Sequence, residues 1–280
     1  MSELGLRAPE WVTGSMIQDA VAYLRSVYPN EGCGFLKASG FIPLSNIADT
    51  LTDELGQPLD PRVSFAIDPE AWVEHDTSND PVLAVVHSHT NGVQVPGKAD
   101  MAGQAESGVP WAIMVTDGDV VGEPIWFGDQ LPIPPLFGRP FVHGICDCYS
   151  LVRDAFRLGK YELISESLPV DERIYDWPYE PVNLELGPRD DNWWANGGNL
   201  YNDGFQAVGF TTIAEGLNVL PTDLRVGDCF ISRMRSAVAN HGGVYVGNGL
   251  ILHHLTGYNS HRSVLNLWLP RIERWLRYVP

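Results

Sequence analysis

The sequence predicts two structural units in series, an α/β unit followed by an α+β unit. Three observations carry this. The chain has 280 residues, 44% of them hydrophobic and 19% charged, which suffices for two buried cores at roughly 150 residues per domain. Residues 129–140, DQLPIPPLFGRP, hold Pro132, Pro134, Pro135 and Pro140, a density that excludes helix and central strand and favours stiff, extended chain. Strand and helix signals alternate before this stretch, whereas after it one helix precedes a run of strands. The expected boundaries are residues 1–128, a linker at 129–140, and residues 141–280.

In the first unit, Ser15 and Gln18 have capping-box spacing. Ile17, Ala20, Val21, Leu24 and Val27 follow as a one-sided apolar stripe, so a helix is predicted that stops at Pro29. Gly34-Phe35-Leu36 opens a strand. Residues 81–89, PVLAVVHSH, read as a buried strand, Ala99 to Ser107 as a short helix, and Trp111–Thr116 as a second buried strand. In the second unit, Asp147 or Cys148 opens a helix with Leu151, Val152, Ala155 and Phe156 on one face. Residues 161–215 read as a loop-rich, aromatic stretch, and strands follow at Asp228–Ser232, Gly243–Gly247 and Leu250–His253.

The formal charge is −17, which argues against nucleic acid as a partner. Residues 1–127 contribute −13, and residues 225–280 are net +5. No apolar run reaches the roughly 18 residues of a membrane span. The opening Met1-Ser2-Glu3-Leu4 lacks a signal pattern, and four cysteines in this length are no disulfide framework. Free thiols in a reducing cytoplasm are expected.

His87 and His89 stand two apart at a strand end, so both rings face one side. With Asp100 eleven residues on, they form a plausible three-ligand zinc site. This segment resembles the JAMM (MPN) metallopeptidases, whose pattern of an upstream Glu, then His-x-His, ten residues and Asp reads here as Glu31, His87-Ser88-His89 and Asp100. The resemblance implies cytidine-deaminase-like α/β layers, zinc on His87, His89 and Asp100, and Glu31 as general base for the attacking water. Two positions depart from the pattern. Thr90 replaces the usual Pro, and Gly97 replaces a Ser that helps stabilise the oxyanion, although a Gly keeps a backbone N–H.

Cys148 lies at a helix start, where unpaired N–H groups and the helix dipole favour a thiolate, and Asp147 is placed to cap that helix. Downstream, His241 through His253 reads as a hairpin with one His at its start and one at its end. Cys, His and an orienting polar group suit a cysteine hydrolase. Taken singly, Cys148 also fits a buried core thiol, and Cys146, Cys148, His241 and His253 together also fit a metal site. The segment resembles NlpC/P60 peptidoglycan endopeptidases: Asp147-Cys148-Tyr149-Ser150-Leu151-Val152 matches their nucleophile motif, Gly227-Asp228 their strand opening, and His241 to Gly249 their hairpin. The resemblance implies a papain-like α+β fold, Cys148 as nucleophile, His241 as base and His253 as third polar residue, with His254 the alternative. Tyr149-Ser150 and Phe141-Val142-His143-Gly144 depart from the family's motifs.

On the hairpin, a three-residue loop Gly247-Asn248-Gly249, or a compensating bulge, is expected despite the Asn-Gly turn signal. Only such a register puts His241 and His253 on one face.

A JAMM-like unit, a proline linker and an NlpC/P60-like unit, in this order, resemble the tail assembly protein K family of lambda-like bacteriophages. The resemblance implies a tail-tip component of the virion, made in the host cytoplasm, assembled with other tip proteins, and cutting peptidoglycan at the host periplasm. The cut would be an amide of the stem peptide, typically between D-glutamate and diaminopimelate. Two other readings stay open: a structural tip protein with vestigial sites, and a cellular wall-remodelling hydrolase, which the missing export signal disfavours.

Overall fold

The computed structural model describes residues 8–128, 130–185 and 187–280. Met1 to Leu4 and Asp129, the first position of the expected linker, lie outside the described residues, as does Leu186 in the aromatic stretch. The chain divides into two compact units at Pro132/Ile133. Leu131 packs on the first core, whereas Leu136 and Phe137 belong to the second. Most of the proline-rich stretch is thus drawn into one unit or the other. Among the described residues, no helix is long and apolar enough to cross a membrane.

The first unit is a five-stranded sheet in the order β2-β1-β3-β4-β5, formed by β1 (Cys33–Lys37), β2 (Gly40–Leu44), β3 (Val82–His89), β4 (Trp111–Val115) and β5 (Ile125–Phe127). Helix α1 (Gly14–Ser26) buries Met16, Ala20 and Leu24 against Leu36, Ala84, Val86, Ala112 and Met114 on one face of the sheet. The N-cap is Thr13 rather than Ser15. Thr13 has the extended backbone a cap requires, and its hydroxyl accepts from the Met16 N–H at 3.3 Å, whereas Ser15 is already inside the helix. On the other face, Trp72 of α2 (Pro69–His75) packs against Phe35. Helix α3 (Lys98–Ser107) connects β3 to β4, which pair in parallel; a parallel pair needs such a crossover. Strands β2 and β5 and helix α2 were not foreseen.

The second unit opens with α4 (Cys148–Leu163), capped by Asp147, whose carboxylate accepts from the Tyr149 and Ser150 N–H groups at 3.0 and 2.8 Å. Its apolar face packs Val152, Ala155 and Phe156 onto the sheet. The helix kinks at Gly159 (φ +64°), where a Cβ would sit 2.4 Å from the Pro181 nitrogen. The aromatic stretch read as loop-rich contains α5 (Leu200–Ala207) and an edge strand, β6 (Phe210–Glu215). β6 pairs with β11 (Ile272–Tyr278), some sixty residues on, and no local signal announces so distant a partner. The antiparallel sheet runs β10-β9-β8-β7-β11-β6, with β7 (Cys229–Ser232), β8 (His241–Gly247), β9 (Leu250–His253) and β10 (His261–Val264). Cys229, Ile231, Val244 and Leu252 face α4, and Phe230, Ile251, Ile272 and Trp275 fill a second core, as period-two alternation requires. Where β7 begins, buried Asp228 accepts from Arg277 at 2.7 Å.

The β8–β9 hairpin takes the second of the two expected routes, a compensating bulge in place of the three-residue loop. The turn has two residues, Asn248 (φ +52°) and Gly249 (φ +70°), and pairs Gly247 with Leu250. A bulge between Tyr245 and Gly247 then shifts the register so that Gly243 faces His253. The local Asn-Gly chemistry sets the turn, and the extra bulged residue restores the facing that the buried side chains need.

Candidate active sites

In the first unit, the end of β3 presents His87 and His89 on one side of the sheet, and the first turn of α3 brings Asp100 to them. The two Nε2 atoms are 3.1 Å apart. Asp100 lies 3.3 Å from His87 Nε2 and 3.4 Å from His89 Nε2. All three residues are buried. His89 is bonded through Nδ1 to the Val93 carbonyl at 2.7 Å, and the His87 ring stacks on Phe65 with centroids 4.4 Å apart. Burial pushes the Asp100 carboxyl up, but the charges and hydrogen bonds of His87 and His89 outweigh it and hold the group well below the usual carboxylate range. Burial lowers His87 more than Asp100 raises it. For His89 the order reverses: burial is outweighed by Asp100 and the Val93 carbonyl, and its affinity for protons rises.

Glu31 is also buried beside this group, and burial raises its carboxyl to about 7 against the opposing pull of His89. The Gly97 N–H donates to Asp100 at 2.7 Å, so it orients the carboxylate and is not free to serve as an oxyanion donor. Lys98 is exposed at the start of α3.

Three positioning residues here were not read from the sequence. Ser88 Oγ accepts from the Gly32 N–H at 2.8 Å, tying the Glu31 loop to the strand that carries both histidines. The Asn46 side chain donates to the carbonyls of Glu31 and Ser64 at 2.9 Å and accepts from the Ala48 and Ala66 N–H groups. Phe65 shields His87. Ala48 apart, their partners are 15 to 56 residues away in sequence, and only folding joins them.

In the second unit, Cys148 occupies the first position of α4 and is 6% exposed. Its sulfur lies 2.7 Å from the Tyr201 hydroxyl, and the Gly242 backbone, next to His241, also favours its charged form. The expected thiolate is overturned: burial, then the Asp147 charge, pushes the thiol up to about 11. The helix end cannot compensate, because Asp147 already occupies the N–H groups of Tyr149 and Ser150. Asp147 is itself buried, yet the charges of Arg189 and His143 outweigh that cost and keep it ionised far below the usual range. Arg189 meets it at 2.5 Å.

The His241 and His253 rings lie on one face, with centroids 5.3 Å apart. Trp268 packs against both, at 5.3 and 4.3 Å. His253 Nε2 is bonded to Ser263 at 2.9 Å. Burial, then the neighbouring histidines, pushes His241 well below the ordinary imidazole range, and its buried Nε2 has no hydrogen-bond partner among the described residues. His254 turns the other way, against Phe141. Cys146 is buried elsewhere, with Arg139 and Asp154 acting on it. Among the described residues, the group of three or more donors close enough for one metal is His87, His89 and Asp100, so the four-residue Cys/His metal alternative does not assemble. Arg189, Ser263 and Trp268 were missed, since neither spacing nor motif marks them; Tyr201 belongs to the aromatic stretch expected beside the cysteine site, but its hydroxyl contact with the sulfur was not foreseen.

Known proteins share both units. Residues 13–127 match the prokaryotic homologs of the JAB domain, and residues 138–274 match the NlpC/P60 family. The chain is therefore a JAB-like unit joined to an NlpC/P60 peptidase-like unit. It is similar to tail tip assembly protein K of Escherichia phage lambda, with 31% identity over 70% of this chain and 80% of that protein. It is also similar to tail tip assembly protein K of Escherichia phage N15, with 26% identity over 94% of this chain and 93% of that one. A protein of Desulfitobacterium hafniense solved in solution overlays 41% of this chain and 78% of its own at 20% identity and a TM-score of 0.30. The chain belongs to the tail tip assembly protein K family of phages.

Proposed function

We propose that this tail tip component cuts an amide bond in the stem peptide of peptidoglycan, between D-glutamate and diaminopimelate, through Cys148, His241 and His253. The observation that carries the reading is the register of β8 and β9, which sets His241 and His253 side by side on the strand whose Gly242 backbone acts on the Cys148 sulfur. With the thiol raised and the imidazole lowered, both groups rest neutral, so general-base transfer suits the site better than a preformed ion pair. His241 takes the thiol proton as sulfur bonds to the amide carbon. The C–N bond breaks, and His241 returns the proton to the leaving amine. Water, deprotonated by His241, then releases the acid and regenerates the thiol. His253, anchored by Ser263 with its ring 5.3 Å from that of His241, is the third polar residue on this reading.

The first unit, on this reading, holds zinc through His87, His89 and Asp100. The two imidazole Nε2 atoms are 3.1 Å apart, and Asp100 meets them through different oxygens, Oδ1 toward His87 at 3.3 Å and Oδ2 toward His89 at 3.4 Å, so the three side chains converge closely enough to share one ion with bonds of about 2.0–2.2 Å. The Val93 carbonyl fixes the His89 tautomer so that Nε2 presents a lone pair. Zinc, when bound, supplies Lewis acidity toward a peptide or isopeptide carbonyl. Glu31, raised to about 7, is suited to accept the proton of the attacking water.

The test is digestion of purified sacculi followed by separation of the released muropeptides. The wild-type chain is expected to open the D-glutamyl–diaminopimelate bond and Cys148→Ala to leave it whole, with zinc measured in both. Intact sacculi with both proteins would leave a structural tip role. Glu31→Gln should keep its zinc while losing any hydrolysis by the first unit. The reading implies assembly with other tip proteins and action at the host periplasm, and particles carrying Cys148→Ala should assemble normally.

A further inference from the structure

We propose that Tyr201 is a catalytic residue of the cysteine site, its hydroxyl donating a hydrogen bond to the Cys148 sulfur as the thiolate forms. This rests on the reading of Cys148 as nucleophile and adds a residue that neither motif supplies.

The sulfur is the first atom to gain negative charge, and a buried anion needs donors. The local helix end is spent, because the Asp147 carboxylate takes the Tyr149 and Ser150 N–H groups. Asp147 also places a second negative charge beside the sulfur. Arg189 balances that carboxylate at 2.5 Å but bonds to it and not to the sulfur. Among the described residues two donors remain: the Gly242 backbone on β8, beside His241, and the Tyr201 hydroxyl on α5, 2.7 Å away. At rest either atom of the Tyr201–Cys148 pair can be the donor. Once His241 holds the thiol proton, only the phenol can donate.

The phenol is held in place for this role. Its ring sits among Tyr149 (5.1 Å), Trp193 (5.3 Å) and Phe205 (5.9 Å), and the residue is buried. Such packing fixes the hydroxyl before charge develops, which is when a donor is most effective. The aromatic stretch between Cys148 and His241 therefore supplies a placed donor to the sulfur.

The experiment uses the full chain and reads Cys148 alone, by mass spectrometry of iodoacetamide adducts across pH. Tyr201→Phe keeps the ring and removes the donor. Its alkylation at neutral pH is expected to slow about 10- to 100-fold, the size of one hydrogen bond to a charged group, with an apparent thiol pKa higher by about one to two units. Replacing Tyr201 with a fluorinated tyrosine, a stronger donor, should move both in the opposite direction, and this arm decides the matter if the Phe variant does not fold. Equal or faster alkylation in Tyr201→Phe, with the thiol pKa unmoved, would show a cover and overturn the donor role. If the sacculi stay intact while Tyr201→Phe still shifts the thiol, the substrate reading fails and the donor role stands. If cleavage depends on Cys148 but the thiol does not shift, the donor role alone fails.

Discussion

The site of the first unit and the site of the second are both buried, and both place two histidines on one face of a sheet. They differ in the charge they hold. Around His87 and His89, Asp100 stays ionised and Glu31 adds a second carboxyl, which is the charge the proposed zinc site needs. Around His241 and His253 the neighbours are another histidine, an indole and a hydroxyl, and burial keeps the imidazoles neutral. The same paired residue therefore suits the proposed ligand set in one unit and the proposed proton acceptor in the other. The partners decide which, because an imidazole out of water is only as basic as its nearest charge allows.

Removing the nucleophile or the base gives the largest expected effect. Cys148→Ala or His241→Ala should lower wall cleavage by about 10²–10⁴-fold or more, while zinc content, read by elemental analysis, stays unchanged. A loss of zinc in these variants would erase the distinction between the sites.

Arg189→Ala is next. It leaves Asp147 buried without its main counter-charge, and should cost about 3–5 kcal/mol in denaturant unfolding at neutral pH. The folded-state carboxyl is depressed, so its contribution is present above the unfolded value of about 3.9 and fades as pH falls through the folded one. The wild type should thus lose stability below about pH 4, and Arg189→Ala should show much less of that acid dependence.

Asp100→Asn tests the first site in the same terms. Zinc at a hundredfold excess over Kd should stabilise the wild type by about 2.7 kcal/mol, seen as a higher Tm. The variant should gain little, because an amide cannot supply the anionic ligand. An equal gain in both would place the zinc elsewhere.

The smallest effect belongs to the hairpin. Gly249→Ala forces a side chain into a left-handed turn (φ +70°), at about 1–2 kcal/mol. The cost should appear in unfolding of the second unit, with zinc uptake by the first unaltered.

Much of both sites was legible because their residues act at short range. A two-residue step on a strand puts His87 and His89 on one side whatever surrounds them. An acidic residue before an apolar helical stripe caps it, as Asp147 does. The Asn-Gly pair sets its own turn. What stayed hidden depends on chain that returns from far away. Strand β6 has a partner some sixty residues distant, Tyr201 meets a cysteine 53 residues before it, and Asn46 clamps two loops at once.

By itself, then, the sequence determined the two-unit order and singled out the zinc-ligand and nucleophile candidates, since motif, periodicity and capping are properties of neighbouring residues. The charge state of each site was decided only by tertiary structure. The helix end at Cys148 favoured a thiolate on local grounds, and burial beside Asp147 reversed it. The hairpin needed a bulge to bring His253 beside His241. Desolvation and register both depend on what packs against a residue from elsewhere in the chain, and no local pattern encodes that.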